Sequence, residues 1–408
     1  MLNKVRDLRD GRSLWQDSAR SGTRHRTKLP AETCDVAVIG AGVSGALIAL
    51  HLADAGHDVV VVDRREPISG STSASTALIQ FEIDTPFIEL SEKIGAARAA
   101  RAYRRSYAAV MDLAQLVQRR RLRVQWHKRR ALYLAGSRLG SRALRREAEL
   151  RAKIGLPSAF IDGGEVYRVY GIDRTGAIIS DGSGELNPVQ LAASCFASVQ
   201  RKGGRIYAPF EVTDVVANAR GVDILTKGGG HIAARKAIFA TGYEVVKGVP
   251  KSAFDITSSW AIATKPVSVE KFWPGRCLIW EAADPYLYLR TTADNRVVIG
   301  GEDSSLKSPA RRSDAIPAKS EKLLERLNGL LPGRQFEIDY SWAGTFAESD
   351  TGLPYIAPIS GMKNCFATLG CGGNGITFSM VAAQLALAWV DGKKDPDASL
   401  FRGSQSEK

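Results

Sequence analysis

The chain has 408 residues, 44% hydrophobic and 24% charged, with 39 glycines and 16 prolines. That composition builds two or three ordinary globular domains and excludes a disulfide-dense miniprotein, a fibre or wholesale disorder. The formal net charge is +13, but residues 93–153 hold 18 Lys and Arg against three acids, so the remainder is slightly acidic.

Such a basic patch can attract nucleic acid, an anionic membrane face or an anionic substrate, although a solvated helical surface is the ordinary outcome of a charge run. The five cysteines (Cys34, Cys195, Cys277, Cys365, Cys371) show no Cys-x-x-Cys spacing, which reads as a reduced, cytoplasmic set. The apolar stretch 36–50 is shorter than a bilayer span and broken by glycines, and the basic N-terminus lacks the apolar core of a signal peptide. No transmembrane segment is expected.

In chain order, residues 1–32 are polar and basic without apolar periodicity and read as an arm. Asp35-Val36-Ala37-Val38-Ile39 is a buried-strand run, residues 40–45 a turn, 46–55 a helix and 58–63 a second strand with four consecutive valines, together a parallel β-α-β unit. A Gly/Ser loop at 67–75 follows. Residues 91–121 predict one long helix, with Tyr103, Tyr107, Val110, Ala114 and Val117 at three- and four-residue spacing.

Residues 133–180 are broken and Gly-rich, predicting short strands and turns. Residues 188–199 predict a helix, and 205–207, 212–216, 222–226 and 237–240 predict strands. Residues 260–268, 286–290 and 296–300 alternate like an antiparallel sheet, and 320–331 and 375–390 predict helices. The fold class is therefore α/β, with a discontinuous Rossmann-like dinucleotide-binding domain (33–87, 186–252 and 343–392). An antiparallel-sheet substrate domain is inserted in it (88–185 and 253–342), and a tail follows at 393–408.

Gly40-Ala41-Gly42-Val43-Ser44-Gly45 fits G-x-G-x-x-G directly after a strand and opening a helix. The glycines permit a tight turn, backbone approach to a pyrophosphate and helix–strand packing, while the helix N-terminus offers N–H groups to phosphate. Asp63 ends the second strand, where its carboxylate can accept from a ribose diol; it disfavours a 2′-phosphate, although Arg64 and Arg65 leave room for one.

Three further motifs carry a resemblance. They are Gly70-Ser71-Thr72-Ser73-Ala74-Ser75, Ala240-Thr241-Gly242-Tyr243 and Gly370-Cys371-Gly372-Gly373-Asn374-Gly375-Ile376. Over residues 35–390 the chain resembles the D-amino-acid oxidase superfamily of FAD-dependent oxidoreductases. The resemblance implies an extended FAD held by Gly40, Gly42, Val43, Ser44, Gly45, Asp63, Arg64, Gly70, Ser71, Thr72, Ser75, Thr76, Val212, Thr241, Gly242, Gly372, Gly373, Asn374, Gly375 and Ile376. It places the flavin ring between the two domains, with the closing helix aimed at the ring's pyrimidine edge. Because Ala343 stands at the position of the sarcosine-oxidase linkage cysteine and no His lies in 70–84, the FAD is expected to be non-covalent.

The activity so implied is oxidation of a C–N bond of an amine or N-substituted amino acid by hydride transfer to flavin, with the imine hydrolysed by water and the electrons passed to a quinone, a protein or O2. Trp280, Tyr288, Arg290 and Phe346 are the pocket candidates, with Trp260, Tyr286 and Trp342 beside them. Each aromatic reads equally well as core, and Arg290 as a structural ion pair. The family's carboxylate anchors correspond here to Gln80, Phe346, Gly373 and Thr377, which disfavours a simple α-amino acid and leaves Arg290, Glu82 and Asp84 as charged candidates. Val298 stands where the sarcosine-oxidase branch has a flavin-facing lysine, favouring a dehydrogenase over an oxidase. No metal motif or hydrolase motif occurs. Two other readings stay open: a flavoenzyme acting on a modified tRNA base, and a flavin-binding protein that acts through interactions without turnover.

Overall fold

The computed structural model describes residues 7–18, 23–249 and 254–403, and what was expected of the remaining positions lies outside the described residues. Two sheets organise the chain. The first runs Tyr355–Pro358, Cys365–Leu369, His231–Gly242, Glu32–Ile39, Val59–Val62 and Arg205–Tyr207, with the antiparallel ribbon Val212–Ala217/Val222–Thr226 attached to His231–Gly242. Val59–Val62 is buried throughout, as expected of a parallel strand covered on both faces. The helices Val43–Asp54, Pro188–Arg201 and Gly375–Val390 cover one face and share a core with Val36, Val38, Val59 and Val61. The ribbon covers the other face, through Val212, Val215, Val222 and Ile224 against Ala37, Ile39, Val60 and Val62.

The second sheet is ordered Arg9–Arg12, Ile338–Glu348, Asp255–Thr264, Val297–Ser304, Leu287–Thr291, Leu278–Glu281, His127–Leu134, Gly176–Glu185 and Leu78–Ile79, and Ser158–Asp162 also pairs with Gly176–Glu185. Its period-two alternation sends Trp260 and Ile262 into a core with helix Ile316–Leu330, and Ala261 and Ala263 into the core shared with the first sheet.

Several expectations are corrected. Residues 9–18 are no free arm: Arg9–Arg12 pairs antiparallel with residues 341–344, and Trp15 in helix Leu14–Ser18 is buried. The tail docks through the short helix Ala398–Phe401, whose Phe401 ring meets Phe378 at 6.2 Å. The long helix is two, Phe87–Ile94 and Ala96–Arg119, separated by Gly95 at φ 85°, a conformation that ends the first helix.

Residues 133–180 contain the helices Ser141–Lys153 and Gly163–Tyr170. The buried stripe of the former is Leu144, Glu147, Ala148 and Arg151, so half of it is an ion pair that no apolar periodicity reveals. Strand Ile338–Glu348 runs unbroken through the expected boundary at 342/343, and Leu78–Ile79 pairs within the second sheet.

Candidate active site

The dinucleotide end is built by close approach of backbone. Gly40 has φ 116°, and a Cβ on it would lie 2.3 Å from the Ala240 carbonyl oxygen; a Cβ on Gly45 would lie 1.9 Å from the Gly40 oxygen. Only glycine fits at either position. Gly42 caps helix Val43–Asp54 with no side-chain cap and no acid in the first turn, and the Val43 N–H donates to Thr72 Oγ1 at 2.9 Å. This is the polarity an anionic phosphate requires.

Asp63 accepts from the Ala41 N–H at 2.6 Å and from the Arg65 N–H at 2.8 Å. Burial pushes its carboxyl above the usual range, and the two amide bonds oppose that shift. Arg64 and Arg65 both pair with the buried Glu244, so a carboxylate already occupies the cations that a 2′-phosphate would use.

From this turn a cleft of about 1880 Å³, including its open mouth, runs past residues 70–76, Val212 and Thr241–Gly242 to the second sheet, where it meets Trp280, Tyr286, Tyr288, Trp342 and Phe346. Every residue expected to touch the cofactor lines it except Gly45, which packs behind the turn. At the far end the loop before helix Gly375–Val390 is tied down: the Gly373 N–H donates to Asp84 Oδ2 at 2.9 Å, the Asn374 amide donates to the Glu82 carbonyl, and Thr377 Oγ1 donates to the Gln80 carbonyl at 2.9 Å. Two helix N-termini therefore open on one cleft, and buried Ser71 Oγ and Gln80 Oε1 along it have no protein partner. These residues fit FAD: glycines for its pyrophosphate, Asp63 for its ribose, and the Gly372–Ile376 turn for its ring.

The aromatic candidates divide from the charged ones. Trp280, Tyr288 and Phe346 line the cleft, with Trp280 stacked on Tyr133 at 3.6 Å and Tyr288 OH 3.1 Å from Ser259 Oγ. Arg290 does not line it. The Arg290 guanidinium is buried, donates to the carbonyls of Thr76 (2.7 Å), Leu186 (3.0 Å) and Thr291 (3.2 Å), and lies 3.7 Å from Glu185 and 5.1 Å from the Trp15 ring centre. It is a strap between segments and not a substrate anchor. Glu82 also lies off the cleft, buried 4.0 Å from Arg151. Val298 sits opposite Ala263 and Arg290 in the core and takes no part in the lining.

Two carboxylates, Asp84 and Glu348, and a cysteine complete the site, and Asp303 lies behind its wall, across the strand pairing from Ser259. Asp84 lines the cleft and an adjoining chamber, which also holds Glu348, Arg138 and Lys93 and shares Trp280, Tyr286 and Gly372 with the first. Burial pushes the Asp84 carboxyl up, Asp303 up to about 6 and Glu348 up to about 7. Sequence reading missed Glu348 and Asp303, although Gly344, Phe346 and Glu348 alternate along one strand and so share a face. Cys371 lines the cleft, where burial raises its thiol to about 11, whereas Ala343 faces the core with Trp260 and Ile262.

Elsewhere the arginine-rich segment is extensively paired: Arg101 with Asp397, Arg105 with Asp395, Arg120 with Asp54, Arg129 with Glu185, Arg138 with Glu89 and Arg151 with Glu147. Among the described residues no helix is long and apolar enough to cross a membrane.

The chain matches the FAD dependent oxidoreductase (DAO) family model over residues 35–389. It is 25% identical over 390 residues to gamma-glutamylputrescine oxidoreductase of Escherichia coli, covering 91% of this chain and 87% of that one. It is 24% identical to glycine oxidase of Geobacillus kaustophilus, covering 88% and 93%. Among solved structures, glycine oxidase from G. kaustophilus superposes with a TM-score of 0.74 at 22% identity (92% and 99% covered), and L-proline dehydrogenase from P. horikoshii with 0.73 at 18% (92% and 98%). A glycine-turn cradle, a cleft lined from both sheets and a family match spanning nearly the whole chain agree, and the protein belongs to the DAO family of FAD-dependent oxidoreductases.

Proposed function

We propose that the protein oxidises the carbon–nitrogen bond of an amine or N-substituted amino acid, using non-covalently bound FAD, and that the substrate is recognised by its positive charge. One observation carries this reading. Among the described residues the cationic side chains lining the cleft are Arg64 and Arg65, both bound to Glu244 at the far end, while the substrate end offers aromatic rings and Asp84; in the adjoining chamber Glu348 sits with Arg138, which is paired with Glu89, and with Lys93, which donates to the Asp350 carbonyl. A free α-amino acid held by its carboxylate needs a cation there. An ammonium needs the reverse: ring faces, and acids such as Asp84 and Glu348 close by. The name of the γ-glutamylputrescine relative agrees with an amine.

FAD, when bound, would supply the acceptor for the hydride, and with it the two electrons, that leave the substrate. The chain's own residues do the rest. Trp280, Tyr286, Tyr288, Trp342 and Phe346 displace water from the amine, which lowers its pKa towards the neutral form that reacts, and together they fix one C–H bond in place. No residue must act as nucleophile.

Five free cysteines, four of them buried, fit the cytoplasmic location proposed here. Because, among the described residues, no cation lines the substrate end of the cleft itself, a quinone or protein is the proposed electron acceptor in preference to O2. Anaerobic mixing of the FAD-loaded protein with secondary amines, diamines and N-alkyl amino acids should bleach the flavin. Faster bleaching by glycine or D-alanine would reject the charge-recognition reading, and bleaching by none of these compounds would reject the amine reading as a whole.

A further inference from the structure

We propose that the chamber adjoining the cleft is a second substrate subsite, and that it takes a zwitterionic head, an ammonium and a carboxylate on one carbon, carried at the far end of the amine. The inference rests on the amine reading above and adds what the rest of the substrate is.

The chamber, about 780 Å³ including its mouth, continues the cleft, since Asp84, Trp280, Tyr286 and Gly372 line both. Strand Ile338–Glu348 carries one wall from the first cavity to the second: Phe346 lines the cleft, and Glu348, two residues on and on the same face, lines the chamber. The chemistry changes along the way. Where the cleft is walled by rings, the chamber holds Asp84 and Glu348 together with Arg138 and Lys93. Trp280, stacked on Tyr133 in its wall, has a buried indole N–H without a protein partner.

These opposite charges share one chamber and do not meet. Among the described residues no ion pair joins Arg138 or Lys93 to Asp84 or Glu348. Arg138 is held back by its own segment: its backbone N–H donates to the Ala282 carbonyl at 2.8 Å, and Glu89 accepts from its Nε at 3.2 Å and its Nη2 at 2.5 Å. Lys93 donates to the Asp350 carbonyl. Across the chamber Asp84 is fixed by the Gly373 N–H at 2.9 Å, and the Glu348 carboxylate has neither a hydrogen-bond nor an ion-pair partner among the described residues. Arg138 thus spends two of its five N–H groups, Lys93 one of its three and Glu348 none of its acceptor sites. A lone ammonium would leave the donors unused, and a lone carboxylate would face two acids. A zwitterion satisfies both sides, its ammonium on Glu348 and Asp84 and its carboxylate on Arg138 and Lys93. With this head in the chamber and the reacting amine among the rings of the cleft, a chain must separate the two. The substrate class is therefore an amine tethered to an α-amino-acid head.

The test is anaerobic stopped-flow reduction of FAD-loaded enzyme at pH 8, above the pKa of about 7 to which burial pushes Glu348. L-lysine is compared with compounds that lack part of its head: 1,5-diaminopentane without the carboxylate, 6-aminohexanoate without the α-ammonium and pentylamine without either, and then with the set one methylene shorter, headed by L-ornithine. Losing either group should raise the apparent Kd about ten-fold, as a charge-assisted hydrogen bond warrants, and losing both about a hundred-fold. Glu348→Gln should erase the advantage of the ammonium, and Lys93→Ala, at an exposed position, should reduce that of the carboxylate. Lysine should be oxidised at its ω carbon, giving an aldehyde. Equal apparent Kd for lysine and pentylamine and for their shorter counterparts, 1,5-diaminopentane bound as tightly as lysine, a head-group advantage that survives both substitutions, or a 2-oxo acid as the product from lysine overturns the subsite while leaving amine oxidation intact. A wild type reduced by no amine overturns the functional reading and the subsite with it.

Discussion

Asp63 is held by the turn that it faces: its Oδ2 accepts from the Ala41 N–H at 2.6 Å, inside the glycine turn itself. One carboxylate therefore shapes the phosphate cradle and presents its remaining lone pairs to a ribose. Asp63→Ala should weaken FAD binding by about 1–3 kcal/mol, the loss expected for hydrogen bonds to a charged group, and Asp63→Asn by less. Quenching of FAD fluorescence on titration into apoprotein measures both.

The glycine turn admits no side chain behind it. Gly45→Ala would drive a methyl group against the Gly40 oxygen and should destabilise the fold by at least about 1–3 kcal/mol, the range for overpacking. Gly140→Ala, where an added Cβ meets nothing, is the control and should stay within about 0.5 kcal/mol of wild type. Thermal unfolding of the two variants decides the matter.

Trp15 makes the N-terminal segment part of the fold. Its indole N–H donates to the Ser75 carbonyl at 2.5 Å and its ring covers Arg290. Trp15→Ala should cost about 3–5 kcal/mol in denaturant unfolding, as large buried aromatics do, and loosen the 70–76 loop that lines the cleft. Trp15→Phe should retain most of that stability.

Glu348 gives the apoprotein a pH signature. Its folded pKa, about 7, lies above the ordinary 4.5, so over that interval the folded state holds more protons than the unfolded state. Stability contributed by the protonated form is full below pH 4.5 and falls as pH rises to about 7. The carboxyl is part-exposed, and solvent screening reduces the effect to about 1–2 kcal/mol. Glu348→Gln should flatten that slope in urea unfolding followed across pH. A slope unchanged by the substitution would remove Glu348 as its source.

Acid precipitation should release the flavin into the supernatant. Ala343 faces the core, and the cleft's Cys371 is a protonated thiol near neutrality and so a poor nucleophile. Photoreduced enzyme should reoxidise slowly in aerated buffer, since electrostatic stabilisation of a developing anion is worth about 3–4 kcal/mol and, among the described residues, the cations at the substrate end, Arg138 and Lys93 of the adjoining chamber, are already bound to Glu89 and to the Asp350 carbonyl. Because Val298 lies off the cleft, Val298→Lys should not restore rapid reoxidation.

The sequence by itself determined the dinucleotide half of this protein. Strand, glycines, helix, second strand and Asp63 are adjacent in the chain, and close backbone approach demands glycine at fixed spacing, so the requirement is written locally. The final helix, Gly375–Val390, was legible to the residue because its apolar run begins at a glycine turn. The substrate half was decided only in three dimensions. The role of Arg290 depends on the carbonyls of Thr76 and Leu186, more than a hundred residues away, which make it a strap. Asp303 faces Ser259 because a bulge at Glu302 breaks the period-two alternation that sequence reasoning assumes. Helix Ser141–Lys153 was hidden because its buried stripe is half ionic, and charge compensation, unlike apolar periodicity, has no signature until the partner is found.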